Sequence, residues 1–308
     1  MIYTQSQANR IIESLRKGIP PAGFIRDFTV GRENEIALLR LQLKNKDSAL
    51  LLNANYGSGK SHLIRFIREE ALEQKYAVSV VDLDAKNGIR FNRMDQIFIA
   101  VCRNIEILVD GNIQKLKSNI IKQYLEDIKP SSLPTNGYKK SWSALRKLNN
   151  SFCLVGLRGL VLLFDEFEDI LTNLTNINYQ EQCFYNLFAF CGGKEYNGKT
   201  FFAVTPDFID KCKKRLSEKD KDDFNIEAFN NLRQFQMSPL EEPSLIELGK
   251  KIAAVHGIAY NWDTSKFANK TVVSIWLKEA ASVRIQDRTR QCVKVIVSVL
   301  DNILQDDE

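Results

Sequence analysis

The eight residues from Ala54 to Ser61, Ala-Asn-Tyr-Gly-Ser-Gly-Lys-Ser, constrain this chain more than any other stretch. A loop that wraps a chain of phosphates must turn successive backbone N–H groups inward with no side chain in the way, and Gly57 and Gly59 give that freedom. The pattern is a small residue, four free positions, then Gly-Lys-Ser. In it Lys60 brings a charge to the β- and γ-phosphates, and Ser61 offers a hydroxyl to the magnesium ion between them. Asn55, Tyr56, Gly57, Ser58, Gly59, Lys60, Ser61 and His62 are therefore the expected contacts to a nucleotide. The flanks agree with this assignment. Residues 48–53 are a short apolar run of strand type, and residues 62–71 repeat apolar positions at helical spacing. Strand, loop and helix follow one another, so a helix N-terminus is aimed at the phosphates.

A second motif complements the first. Leu160-Val-Leu-Leu-Phe-Asp-Glu166 is a fully buried central strand with two acids at its end, about 105 residues after the loop. Asp165 is expected to hold magnesium through its water shell, and Glu166 to orient and deprotonate an attacking water. Residues 76–84 form another buried-strand pattern, with Asp82 and Asp84 at the end where ligands of parallel sheets collect. Residues 93–108 read as an amphipathic helix, 179–190 as a helical region, and 200–206 as a strand ending at Thr205. Residues 210–223 read as a solvated helix and loop, and 231–240 as the last sheet strand with Arg233 just ahead of it.

Composition narrows the setting. With 308 residues and 44% hydrophobic content the chain can bury a sizeable core, and no run approaches the roughly 18 uninterrupted apolar residues of a membrane span. The N-terminus lacks a signal peptide's apolar centre, and the six cysteines include no Cys-x-x-Cys pair, so a reducing, cytoplasmic protein without structural zinc is expected. Neither His62 nor His256 has an obvious partner in the sequence. The net charge of +5 resides wholly in residues 110–150, where eight basic residues face three acidic ones. Pro130, Pro134 and Gly137 divide this segment into two helical stretches, an insertion on the sheet domain. Tyr138 and Trp142 lie among Lys139, Lys140, Arg146 and Lys147, a pattern suited to phosphate contact beside base stacking and hence to nonspecific DNA.

Val30-Gly-Arg-Glu33 ahead of the phosphate loop resembles the AAA+ and STAND ATPases, especially the branch near the origin-recognition ATPases. The order Leu-Arg-Lys-Gly-Ile-Pro-Pro, Val-Gly-Arg-Glu, Asn-Tyr-Gly-Ser-Gly-Lys-Ser and a terminal Arg-x-x-x-Lys…Leu-Asp is similar to the ATP-binding proteins of BREX-type bacterial phage-defence clusters. The resemblance spans nearly the whole chain. It implies that Val30, Gly31 and Arg32 border the adenine base, that Thr205 is a polar sensor of the γ-phosphate, and that Arg290 returns from a helical lid to the nucleotide. It also implies an arginine reaching a neighbouring subunit's site, for which Arg233 is preferred to Arg215. The sequence departs from the pattern at three points. Ala54 replaces the first loop glycine, Ser61 stands for threonine, and Thr289 precedes Arg290 where proline is usual, with Arg284 and Arg288 as alternatives in register.

The expected fold is α/β, a P-loop NTPase with a parallel, AAA+-like sheet and a C-terminal helical lid. Residues 1–24 form a helical arm, 25–240 the ATPase domain and 241–308 the lid. The expected function is an ATP-binding, magnesium-dependent ATPase acting as a switch or motor in an anti-phage defence or DNA-transaction complex, as a homo-oligomer or with partner proteins. Two alternatives stand beside it: a DNA-loading or remodelling ATPase of the origin-recognition or transposition-regulator type, and a scaffold that binds ATP without hydrolysing it and recruits an effector.

Overall fold

The strongest apolar runs become parallel strands of one sheet, since a strand covered on both faces has no place for polar side chains. A computed structural model describes residues 3–45, 49–116, 134–219, 224–269, 273–274, 278 and 288–306. The strands among them are β1 (Ala49–Asn53), β2 (Ala77–Asp82), β3 (Ile105–Val109), β4 (Asn112–Lys115), β5 (Leu160–Asp165), β6 (Lys199–Val204) and β7 (Gln234–Gln236). They lie in the order β4-β3-β2-β5-β6-β1-β7. β2, β5, β6, β1 and β7 are mutually parallel, while β3 and β4 extend the β2 edge antiparallel. The protein is α/β, with a mostly parallel sheet. Register places Asp82 opposite Asp165 and Asn53 opposite Val204, so these C-terminal strand ends share one edge of the sheet.

The principal helices are α1 (Gln5–Arg16), α2 (Glu33–Lys44), α3 (Lys60–Glu73), α4 (Met94–Arg103), α5 (Pro134–Leu154), α6 (Ile177–Cys191), α7 (Phe208–Ser217), α8 (Glu242–Tyr260) and α9 (Arg288–Asp306). α1 begins with a capping box. The Gln7 backbone N–H donates to the Thr4 hydroxyl at 3.3 Å, and the Thr4 N–H donates to Gln7 Oε1 at 2.9 Å. Such a cap contributes about 1 kcal/mol. No helix among the described residues is long and apolar enough to cross a membrane.

The chain forms two compact units, residues 1–37, 54–66 and 237–308 in one and 38–53 and 67–236 in the other. Neither is a single continuous stretch of sequence. The first unit packs Ile11, Ile12 and Leu15 of α1 against Leu245, Leu248 and Ile252 of α8 and Ile296 and Leu300 of α9. The second has an aromatic centre beside the sheet, where Phe164 and Phe202 stack at 5.1 Å and Phe167 meets Phe202 at 4.6 Å.

Two expectations from the sequence give way. The helix expected over 93–108 ends at Arg103, and Ile105–Val109 is β3. Its partner β4 follows across Asp110-Gly111, both with positive φ (49° and 75°), the backbone that a two-residue hairpin turn demands. Of the segment 110–150, expected to hold two helical stretches, residues 117–133 lie outside the described residues. Residues 112–115 are sheet, and α5 is a core helix whose Trp142, Leu145, Leu148 and Phe152 are buried at helical spacing. Lys117, Lys122 and Lys129 lie outside the described residues.

Trp142 is therefore not a base-stacking residue. It is 2% exposed, its ring 4.6 Å from that of Phe190. Replacing it with alanine should cost about 3–5 kcal/mol of stability. Thermal unfolding checks this, and an unchanged Tm would show that the ring is not a core element.

Candidate phosphate-binding site

β1 is buried along its whole length, and the chain leaves it into the loop at Ala54, which is fully buried. Gly57 and Gly59 take φ of 76° and 105°, conformations that side chains resist, and between them Ser58 is held by its own loop. The Ser58 backbone N–H and hydroxyl both donate to the Asn55 carbonyl, at 3.2 and 2.5 Å. α3 opens immediately, with the Leu63 N–H on the Gly59 carbonyl at 2.9 Å. The helix N-terminus and the turned loop together present backbone donors and positive dipole to an anion. Lys60 is buried at the start of α3 and Ser61 is half-buried beside it.

The segment before α2 braces this loop. Arg32 is buried, and its guanidinium donates to Glu35 Oε1 at 2.8 Å, to the Ser238 carbonyl at 2.5 Å and to the Ser58 carbonyl at 3.5 Å. Val30 lies in the apolar core beside it, and a Cβ at Gly31 would overlap the Ser244 hydroxyl. Arg32 thus serves the loop's shape, and Gly31 lets the chain pass close to α8.

His62 packs against a partner distant in sequence. Its Nε2 lies 2.7 Å from Thr29 Oγ1, and that hydroxyl already donates to the Ile25 carbonyl at 2.8 Å. The hydroxyl's remaining role is acceptor, so Nε2 carries the proton and donates. Burial, then the charges of Arg32 and Arg65, push the His62 imidazole down to about 4. His256, fully buried in the same unit, receives the Trp262 indole N–H on Nδ1 at 2.9 Å and contacts Asp301 through Nε2 at 3.1 Å. Arg290, at the start of α9, rests on the loop itself. Its Nη1 donates to the Tyr56 hydroxyl at 3.2 Å, and its guanidinium carbon lies 5.1 Å from the Tyr56 ring centroid. Arg284 is outside the described residues.

The second unit carries the carboxylates. Asp165 ends β5 opposite Asp82, and the Glu166 backbone N–H donates to Asp165 Oδ1 at 3.0 Å. Glu166 adopts a left-handed backbone, φ 53° and ψ 37°, which is costly for a residue with a Cβ and recurs where function fixes a side chain's direction. Burial, then the negative charges of Asp82 and Asp165, raise its proton affinity above that of an ordinary glutamate. Thr205 follows β6, its hydroxyl shielded from solvent. Arg233 is exposed just before β7, its carbonyl accepting from the Leu51 N–H at 3.0 Å. Since β7 runs parallel to β1, Arg233 sits at the N-terminal strand ends, opposite to the edge bearing Asp165. Of the basic residues of α5, Lys139, Lys140 and Lys147 are exposed, while Arg146 pairs with Glu195 at 3.1 Å.

A strand, a glycine-turned loop and a helix that starts on lysine define a phosphate-loop protein of the parallel α/β class. The family model described as BREX system ATP-binding protein BrxC/D matches residues 4–143 and 137–308, and the chain belongs to that family. No curated protein matches the sequence. Among solved structures, the chain is similar to a Walker-type ATPase of Pyrococcus abyssi, at 12% identity over 91% of this chain and 76% of that one, with a TM-score of 0.47. The ORC2 protein of Aeropyrum pernix gives 14% identity over 85% and 67% at 0.45. Domain III of the Thermotoga maritima replication initiation protein DnaA gives 15% over 88% and 96% at 0.40.

Sequence reasoning missed Thr29, the hydrogen-bond partner of His62, because nothing local links two residues 33 positions apart. The His62 imidazole has a practical consequence for stability. Its folded pKa lies below the ordinary histidine value, so the unfolded chain takes up the proton first as pH falls. Stability is full above about pH 6.5 and drains away toward pH 4. His62→Gln should show a shallower fall of Tm across that window than the parent chain, measured by thermal unfolding at a series of pH values.

Proposed function

We propose that this chain binds ATP with magnesium through the Ala54–Ser61 loop and hydrolyses it, acting as a switch or motor in a phage-defence complex. The observation that supports this most is the loop itself, two glycines at positive φ leading into a helix that begins on a buried lysine. Lys60 supplies charge to the terminal phosphates. Ser61 and Asp165 offer oxygen donors of the kind a magnesium ion takes alongside water and phosphate oxygens, and the ion, when bound, neutralises charge on the transferring group. Glu166 orients the attacking water and takes its proton, a task that its raised proton affinity favours. The shielded hydroxyl of Thr205 is suited to sense the γ-phosphate, and Val30, Gly31 and Arg32 border the base.

Arg233 and Glu166 stand at opposite ends of the strands of one sheet, which favours a role for Arg233 in a neighbouring copy's site over one in its own. In this reading residues 25–240 are the ATPase domain and 241–308 the lid that carries Arg290. Lys139, Lys140 and Lys147 are the exposed groups of α5 for a polyanionic partner such as DNA, by charge and without stacking. A salt titration would reveal such contact through a slope near −0.9 per neutralised phosphate, and a flat response would exclude it.

Two substitutions separate binding from chemistry. Lys60→Ala should abolish ATP binding measured by calorimetry while the thermal transition persists. Glu166→Gln should bind ATP, leave it uncleaved, and unfold at a slightly higher temperature than the parent because the repulsion with Asp82 and Asp165 is gone. Unchanged nucleotide affinity in Lys60→Ala would overturn the assignment, and normal turnover in Glu166→Gln would move the base elsewhere.

A further inference from the structure

Tyr56 occupies a free position of the loop motif, where a phosphate makes no demand on the side chain, and the residue is 60% exposed. A tyrosine ring at the surface offers an apolar face and a hydroxyl to whatever packs on it. What lies on it is Arg290. The guanidinium carbon stands 5.1 Å from the ring centroid, and Nη1 donates to the phenol oxygen at 3.2 Å. A guanidinium carries five donors in a planar fork, so one bond to Tyr56 leaves the others for a second, anionic partner.

Arg290 is held from two further directions. Its stem passes the turn after α1 at Gly18, where φ is +68° and a Cβ would come within 3.0 Å of Arg290 Cγ. About three helical turns further along α9, on nearly the same face, Asp301 is clamped. Arg16 of α1 grips it with Nε at 2.9 Å and Nη2 at 2.8 Å, and His256 of α8 contacts it at 3.1 Å. The Arg16 Nη2 also donates to the Tyr260 hydroxyl at 2.8 Å. The arm meets the loop helix as well, for Arg65 of α3 donates to the Pro20 carbonyl at 2.7 Å. α9 is thus fixed at Asp301, and its first turn is steered between Gly18 and Tyr56.

We propose that Tyr56 is a positioning residue that holds Arg290 over the phosphate loop before the nucleotide arrives, so that the guanidinium meets the γ-phosphate already oriented. This rests on the ATP-binding reading above. The consequence is selective for ATP over ADP, because only ATP carries the group that the free donors of Arg290 would reach. An exposed cation–π contact contributes about 0.5–1 kcal/mol, which corresponds to roughly two- to five-fold in affinity.

The test is calorimetric titration of ATP and ADP into the parent chain, Tyr56→Ala, Tyr56→Phe, Arg290→Ala and the double variant Tyr56→Ala/Arg290→Ala. Tyr56→Ala should weaken ATP roughly two- to five-fold and ADP little, with Tyr56→Phe in between because it keeps the ring and loses the hydroxyl. In the Arg290→Ala background the Tyr56 change should have no further effect. Unchanged or tighter ATP binding by Tyr56→Ala, equal losses for ATP and ADP, or additive losses in the double variant would overturn the role of Tyr56. A parent chain that binds neither nucleotide would overturn the ATP reading and this inference with it. A cycle of the parent, the two alanine variants and their double variant in the absence of nucleotide, read as unfolding equilibrium constants, should show coupling between the two side chains, and its absence would overturn the contact itself.

Discussion

The parallel register of β2, β5, β6 and β1 is the constraint on which the arrangement of the sheet's C-terminal edge depends. When strands run the same way and in step, whatever follows each of them emerges at the same edge. Here those positions are Asp82, Asp165, Thr205 and Asn53, from which the chain enters the phosphate loop. The apolar content of these strands is what makes the arrangement stable, since both faces are covered. Glu166 shows the local cost. Its left-handed backbone is unfavourable for a residue with a Cβ, and burial with its acidic surroundings, Asp82 and Asp165 foremost, raises its proton affinity.

In the first unit, polar contacts do what packing alone would leave loose. α1, α8 and α9 share an apolar core, which fixes their separation but lets helices slide. Asp301 removes that freedom by receiving Arg16 and His256 from two other helices, and Trp262 fixes the His256 tautomer in turn. Burial depresses the His256 imidazole despite the neighbouring carboxylate, so the network holds together as a neutral histidine beside one ion pair. A half-buried pair with bidentate geometry is where such an interaction contributes most to specificity of arrangement.

Much of this is legible in the sequence, and the boundary follows the range of the interactions. The loop, the acid pair and the parallel strands are local patterns, each announcing itself within about ten residues. The capping box at Thr4 and Gln7 is equally local. Asp110-Gly111 is a hairpin signal too, but the apolar periodicity running through 93–108 competes with it and points to helix. At Trp142 two patterns overlap: the charged neighbours suggest a nucleic-acid face, while the spacing to Leu145, Leu148 and Phe152 marks the buried stripe that the fold adopts. The histidine contacts and the Arg290–Tyr56 pair join residues 33, 45 and 234 positions apart, and no pattern in one sequence connects them.

If Arg290 and the phosphate loop serve one nucleotide, its arrival is felt both by the loop and by the first turns of α9. Hydrogen exchange measured by mass spectrometry, with and without ATP and magnesium, tests this directly. Amides of residues 54–66 and 288–300 should gain protection together on ATP addition in the parent chain and not in Lys60→Ala. Protection at the loop alone, or the same response in Lys60→Ala, would contradict the account.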